Sequence, residues 1–204
     1  MIASPETQAT FKACSWASLC RPDVLWTTYY LSVMLIDLGV EGDFAECGVF
    51  AGTHPAMMAR AIMDRVPPSQ YSRYKVHLFD SFEGLPANSD QDEGIVDRLR
   101  EGVICSLEQV KIYMESWKIP ESLLEYHEGW FVDTLPKLKK TPLALLRIDC
   151  DMYDSVKQVL QHLYPNLVAR GICIFDDYAF PGARLGFFEG TSPGTISPIM
   201  WQRR

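Results

Sequence analysis

The chain has 204 residues, 48% of them apolar and 22% charged, with a formal net charge of −7 and an isoelectric point near 5.1. That length and composition fit a globular fold with a sizeable core and exclude a disordered chain. The acidic balance offers no field for a phosphate backbone, and no stretch reaches the roughly 18 consecutive apolar residues of a membrane span, so neither nucleic acid nor a membrane is an expected partner.

The N-terminus, MIASPETQATFKACSWASLCR, lacks a basic segment followed by an apolar one, so no secretory signal is expected. The six cysteines show no CxxC and no Cys/His zinc spacing. The expectation is a reduced, cytoplasmic protein. Residues 1–40 form a helical N-terminal region, whose apolar stretch 23–39 stops at Gly39. GDFAECGVFAG follows, with Phe44, Val49 and Phe50 in a strand-like segment before glycines, and HPAMMARAIMDRV then favours a helix with Pro55 in its first turn.

The alternation continues along the chain. YKVHLFDSF is a strand, LEQVKIYMESW a helix, LLEYHEGWF a strand and VDTLPKL a short helix. LALLRID is a strand, SVKQVLQHLYPNLVARG a helix closed by Gly171, and ICIFDDY a strand. Strands separated by helices predict an α/β fold, a mostly parallel sheet with helices on both faces, in one domain over 1–204. The polar stretch 82–102 is either a lid or a solvated loop. Trp16, Trp26, Tyr29 and Tyr30 either cover a site or bury against a second copy, which leaves a homo-oligomer open.

In such sheets ligands bind outside the C-terminal strand ends, near the switch in strand order. Gly48–Gly52, Asp80, Gly129, Asp149 and Asp176–Asp177 all fall at those ends. Gly48 and Gly52 permit a tight turn or a close approach to a ligand, but the segment is neither GxGxxG nor a P-loop. Asp80 is placed to accept ribose hydroxyls or to cap its own turn. A glycine turn and a ribose acid without a diphosphate motif point to an adenosine ligand lacking phosphates, which S-adenosylmethionine satisfies. Glu46 would face the cationic part of that ligand. Gly129 would supply a turn and Trp130 an aromatic wall near the adenine, unless Trp130 is core.

LALLRIDCDMYDSV ends an apolar run in a cluster of aspartates, which is costly unless a counter-charge is near. Asp149, Asp176 and Asp177 offer hard oxygens of the kind Mg²⁺ prefers, whereas Asp154 reads as a helix-start acid and Asp151 fits either role. His54 is at most a spare base, and no serine completes a triad with any of the four histidines.

GDFAECGVFAG, LFDSFEGLP, HEGWFVDTLP, LLRIDCDMYDS and IFDDYAFPGAR resemble, in order, the motifs of the macrocin O-methyltransferase family. The resemblance implies a class I methyltransferase fold, S-adenosylmethionine and Mg²⁺ as cofactors, and a small-molecule acceptor carrying sugar or polyol hydroxyls. It makes Asp149, Asp176 and Asp177 the magnesium ligands, with Asp149 beside the cofactor and assisting deprotonation. Asp80 becomes the ribose acid, next to Ser81, and Glu46, Gly48 and Val49 the methionine-side loop. Three departures stand out: Ala51-Gly52-Thr53 where the family has Arg-Gly-Gly, Cys150 where it has Gly, and a segment between Arg184 and Thr195 shorter than the family's helical insertion, which puts the acceptor-binding part in question. The competing expectations are a non-catalytic S-adenosylmethionine-binding protein and a catechol-type O-methyltransferase.

Overall fold

The computed structural model describes residues 3–92, 102–138 and 140–191, together with the backbone of 199–200. Two helices come first, α1 (Pro5–Ala17) and α2 (Pro22–Asp37), each with proline in the opening turn, where a missing N–H costs nothing. Ser4 caps α1 by accepting from Thr7 N at 3.1 Å. Gly39, at φ 64°, turns the chain out of α2 as a left-handed residue after a helix should.

The rest alternates: β1 (Asp43–Cys47), α3 (Thr53–Arg65), β2 (Val76–Asp80), α4 (Leu107–Ser116), β3 (Leu124–Glu128), α5 (Phe131–Thr134), β4 (Leu143–Ile148), α6 (Tyr153–His162), β5 (Leu167–Phe175), α7 (Pro181–Gly190) and β6 (Ile199–Met200). The described strands form one sheet, in the order β3-β2-β1-β4-β5-β6, and every pair is parallel. Strand order reverses between β1 and β4, so the crevice expected of a doubly wound sheet opens there.

Because the middle of the sheet is covered on both faces, β1, β2 and β4 are buried nearly throughout, whereas the edge strand β3 is largely half-buried or exposed. One core layer joins Leu25, Tyr29, Met57, Ile62, Leu78 and Met114 beneath α2, α3 and α4. The other joins Leu146, Val156, Val159, Phe175 and Phe187 beneath α6 and α7. α3 is buried from Thr53 to Ile62, which is why its sequence is apolar or small on every side. Trp26 stacks on Phe11 at 4.2 Å and the Tyr29 hydroxyl donates to Asp64 at 2.6 Å, so these aromatics fasten α1 and α2 to the body. Trp16 stands 89% exposed.

Two boundaries differ from the sequence expectation. Val49 and Phe50 lie beyond β1, in the turn, because Gly48 and Phe50 take positive φ (85° and 46°) and end the extended run. The helix expected over 155–171 stops at His162, a single 3-10 turn spans Tyr164–Asn166, and Leu167–Gly171 already belong to β5. Pro165 lacks the N–H that would carry the hydrogen-bond ladder of α6 onward, and fits instead the opening of the short 3-10 turn. Gly171 lies inside β5, not at a helix end, at the irregularity where pairing with β4 shifts from Leu143↔Leu167 to Leu145↔Ile172.

Candidate active site at the sheet switch point

A cavity of about 400 Å³ opens at the C-terminal ends of β1, β2, β4 and β5. Residues singled out from sequence line it: Glu46 within β1 and Gly48 and Val49 after it, Asp80 at the end of β2 and Ser81 after it, Gly129 and Trp130 after β3, Asp149 after β4, and Asp176 and Asp177 after β5; Gly52, at the start of α3, is not in the lining. Nothing in local sequence brings these stretches together. The parallel sheet does.

At one end sits the glycine turn. A Cβ on Gly48 would lie 1.7 Å from the Asp149 carbonyl oxygen, so here the glycine lets the exits of β1 and β4 touch. Asp149 N donates to Cys47 O and Gly48 N to Phe79 O, both at 2.9 Å. Asp80 Oδ2 accepts from Val49 N at 2.6 Å and Phe50 N at 3.1 Å, and Oδ1 accepts from Phe82 N at 2.8 Å. Asp80 therefore braces two turns at once. The Ser81 hydroxyl donates to Gly84 O at 2.7 Å, which leaves Asp80 Oδ1 one acceptor position toward the cavity. Gly129, at φ 124°, donates to Asp80 O at 3.0 Å. Trp130 is 41% exposed at the rim, not core.

At the other end the three aspartates converge: ligand oxygens of Asp149, Asp176 and Asp177 all lie within 4.8 Å of one another. Asp176 and Asp177 are buried and Asp149 is half-buried. The cluster contains a protein cation that sequence reasoning missed. Arg147, next to the last residue of β4, is fully buried and pairs in register with Glu46. Its Nε lies 2.9 Å from Glu46 Oε1, at ion-pair distance but out of hydrogen-bond alignment. Its Nη2 lies 2.8 Å from Asp149 Oδ2 and 3.4 Å from Asp176 Oδ2.

Burial works to discharge Arg147, but Asp149, Asp176 and Glu46 outweigh it and hold the guanidinium more firmly protonated than usual. Burial pushes the Glu46 carboxyl well above the usual range, with Arg147 opposing. Asp177 is also pushed well up, by burial and then by Asp151 and Asp176, although the Asp151 N–H donates to its Oδ2 at 2.8 Å. A buried carboxylate raised by its like-charged neighbours is one that a hard cation would stabilise. The donor set, all oxygen and within chelating reach, fits Mg²⁺.

The sequence matches the family described as Macrocin-O-methyltransferase (TylF) over residues 32–188. The chain belongs to that family. It is 35% identical over 162 residues to the 8-demethyl-8-(2,3-dimethoxy-alpha-L-rhamnosyl)-tetracenomycin-C 4'-O-methyltransferase of Streptomyces olivaceus, a match covering 76% of this chain and 60% of the relative. It is 33% identical over 158 residues to the mycinamicin III 3''-O-methyltransferase of Micromonospora griseorubida, covering 74% and 61%. The chain thus spans about 60% of the length of these curated relatives. Among solved structures it resembles the O-methyltransferase NovP, with a TM-score of 0.77 and 27% identity over 85% of this chain and 72% of that one. The fold of this macrocin-O-methyltransferase family member is the class I methyltransferase fold.

Several groups of this family member sit where sequence did not place them. His54 is buried and both ring nitrogens are engaged, Nδ1 with Thr28 Oγ1 at 2.8 Å and Nε2 with Arg147 Nη2 at 3.1 Å. Burial and Arg147 push its pKa well below the usual value, so it is a neutral ring behind the acids. From the α1–α2 connection Cys20 Sγ reaches 3.7 Å from Arg147 Nη2 and 3.9 Å from Asp176 Oδ2. Burial, with Asp149, pushes its thiol up to about 12, so it is no thiolate. Cys150 turns its side chain into the core beneath α6 and α7, which is how the larger residue is accommodated. Asp151 holds φ 58° and lines the cavity.

Of the stretch 82–102, read as either a lid or a solvated loop, residues 93–101 lie outside the described residues. The part before them is fastened: Asp92, buried, accepts from Ser89 N at 2.8 Å with Oδ2 and from Tyr153 N at 2.7 Å with Oδ1. It thus caps the start of α6 from a distant loop, and Leu85, Pro86 and Ala87 form a cavity wall.

A second group of candidate ligands, His77, Glu125 and His127, lies across β2 and β3. His77 Nδ1 and His127 Nε2 are 3.0 Å apart with ring centroids 5.3 Å apart, so the two nitrogens point straight at each other. That is an N–H···N hydrogen bond, not two lone pairs converging on an ion. No helix among the described residues is long and apolar enough to cross a membrane.

Proposed function

We propose that this chain transfers the methyl group of S-adenosylmethionine to a hydroxyl oxygen of a small natural product of sugar or polyol type, with Mg²⁺ held by Asp149, Asp176 and Asp177. The observation that carries the reading is the convergence of those three carboxylates beside the glycine turn, in a chain of this family. We read residues 1–204 as one catalytic unit.

The reaction breaks the sulfonium S–CH₃ bond, forms a C–O bond and releases the hydroxyl proton. Bound Mg²⁺ supplies Lewis-acid stabilisation of the developing alkoxide. The protein's part is placement and proton transfer. Asp80 keeps one acceptor position for a ribose hydroxyl, and Gly129 and Trp130 border the adenine side. Glu46 Oε2, buried and without an aligned partner among the described residues, faces the ligand's ammonium. Leu85, Pro86 and Met152 exclude water from the acceptor end. Holding methyl and oxygen in line contributes a large share of the rate.

Asp149 is one candidate base. A specific observation favours another: Asp149 Oδ2 already takes a guanidinium hydrogen bond at 2.8 Å, and a carboxylate so paired is weakly basic. Asp151 lines the same cavity on a strained positive-φ backbone of the sort concentrated at functional sites. Methyl transfer to a panel of neutral glycosides and catechols, with Mg²⁺ and with EDTA, tests the whole reading. Reversible silencing by EDTA and preference for glycosides are expected. Turnover that persists in chelator would remove the metal, and Asp151→Asn retaining full turnover on the same panel would return the base to Asp149.

A further inference from the structure

The second hydrogen of Arg147 Nη2 decides what the neighbouring acids have left to offer. That nitrogen carries two hydrogens and faces four acceptors: Asp149 Oδ2 at 2.8 Å, His54 Nε2 at 3.1 Å, Asp176 Oδ2 at 3.4 Å and Cys20 Sγ at 3.7 Å. Distance sends one hydrogen to Asp149 and the other to His54. Asp176 is left with long-range attraction and no hydrogen bond from the guanidinium, and only the weak donor Cys20 Sγ, 3.9 Å away, touches its Oδ2.

The ring of His54 has only one way to do this. A guanidinium donates and never accepts, so Nε2 must carry the lone pair and Nδ1 the proton. Thr28 Oγ1, 2.8 Å from Nδ1, receives that proton's hydrogen bond, while its own hydroxyl points to Val24 O at 3.5 Å. Thr28 is on α2, His54 in the first turn of α3 and Arg147 on β4, so three elements fix one guanidinium.

We propose that His54 is a positioning residue for divalent-cation binding: by taking the second Nη2 hydrogen of Arg147 it keeps the guanidinium from bridging Asp149 and Asp176 and competing with the cation. The inference rests on the metal reading above. Without the imidazole lone pair the guanidinium is released to turn toward Asp176 Oδ2, the nearest remaining carboxylate oxygen and a stronger attraction than the Cys20 sulfur at 3.7 Å, and the protein's own cation occupies part of the place meant for the ion. Groups that orient the direct ligands of a metal in this way typically change its affinity 10–100-fold.

The test uses Mn²⁺ as the probe, its dissociation constant read by electron paramagnetic resonance on the full chain, with S-adenosylmethionine affinity measured by calorimetry as the control. His54→Leu is expected to bind Mn²⁺ roughly 10–100-fold more weakly with cofactor affinity unchanged. His54→Gln, which returns an amide oxygen near the Nε2 position, recovers most of the loss. A ring that only supports the fold would lower thermal stability in both variants and leave the Mn²⁺ affinity of the folded protein alone. Wild-type affinity in His54→Leu, or no recovery in His54→Gln, overturns the inference while the metal reading stands. A wild-type protein that takes up no Mn²⁺ removes the metal reading and this inference together. Should His54→Leu fail to fold, His54→Asn takes its place, too short to reach Arg147 Nη2 yet polar enough to keep a contact with Thr28. Weaker Mn²⁺ binding there supports the proposal, and unchanged binding overturns it.

Discussion

Two buried polar networks share one sheet, and they are built to different standards. Across β1, β2 and β3, Asp43 takes Lys75 N on Oδ1 at 2.8 Å and His77 Nε2 on Oδ2 at 3.1 Å. His77 Nδ1 meets His127 Nε2, and His127 stacks flat on Phe79 at 4.0 Å and 7°. That chain closes on itself. At the ends of β1, β4 and β5, by contrast, Glu46 Oε1 and Oε2 and Arg147 Nε and Nη1 are buried without an aligned partner among the described residues, and Asp177 is raised by burial and then by its own neighbours. Folding satisfies buried polar groups wherever it can, and leaving several unsatisfied costs stability. A network left open is therefore one shaped for something that arrives later, and the closed network is a structural joint.

The sharpest way to break that contrast is at Asp177. If the carboxylate is there for a cation, Asp177→Asn reduces methyl transfer to background and abolishes Mn²⁺ uptake, yet it makes the metal-free protein more stable at neutral pH. The sign follows from the raised pKa: stability contributed by the protonated carboxyl is whole below the usual carboxylate range and is lost as pH rises toward and through the raised value, so a buried ionisable carboxyl opposes folding increasingly as pH rises. Asparagine removes that opposition. Each kcal/mol relieved shifts the melting temperature by about 2–4 °C in a chain of this size. A variant that melts earlier than wild type would make Asp177 part of the scaffold, and the two networks would no longer differ in kind.

The contrast also marks what was readable without a structure. Strand ends were readable because each apolar run breaks on a glycine or an acid, and β-αβ alternation then carries those ends to one edge. Arg147 announces itself only as a charge within LALLRI. Its place two residues before Asp149 puts both side chains on one face of the strand, but nothing local says that Glu46, His54 and Cys20 surround it. Asp92 gives still less sign, since its partner Tyr153 N is 61 residues away. The α6–β5 boundary was misjudged because apolar spacing runs on through Pro165, and the backbone chemistry of proline outweighs that periodicity.

A smaller effect is expected at Asp80, where the brace and the proposed ribose contact coincide. Asp80→Ala removes acceptors for Val49 N, Phe50 N and Phe82 N together with the ribose position, and should weaken S-adenosylmethionine binding by about 1.5–3 kcal/mol, the scale of hydrogen bonds to a charged group. Calorimetry on wild type and variant reads it directly. Unchanged affinity would leave Asp80 as a turn brace alone and shift the adenosine end toward Gly129 and Trp130.

The smallest expected effect lies in the closed network and tests whether it is only a joint. Burial, and after it His77, holds His127 down to about 4, against 6.5 for an unhindered imidazole. The folded ring therefore stays neutral where the unfolded one takes a proton. Stability contributed by this refusal is whole above pH 6.5 and drains away as pH falls toward 4, because only the unfolded chain gains a proton across that window. Gln in place of His127 keeps an N–H for His77 Nδ1 but cannot titrate. His127→Gln should flatten the decline of melting temperature between pH 6.5 and 4, by roughly a few degrees at its lower end, and leave Mn²⁺ and cofactor affinities as they were. Parallel declines in wild type and variant would mean the imidazole is charged in the fold, and a charged His127 beside His77 would be an open network after all.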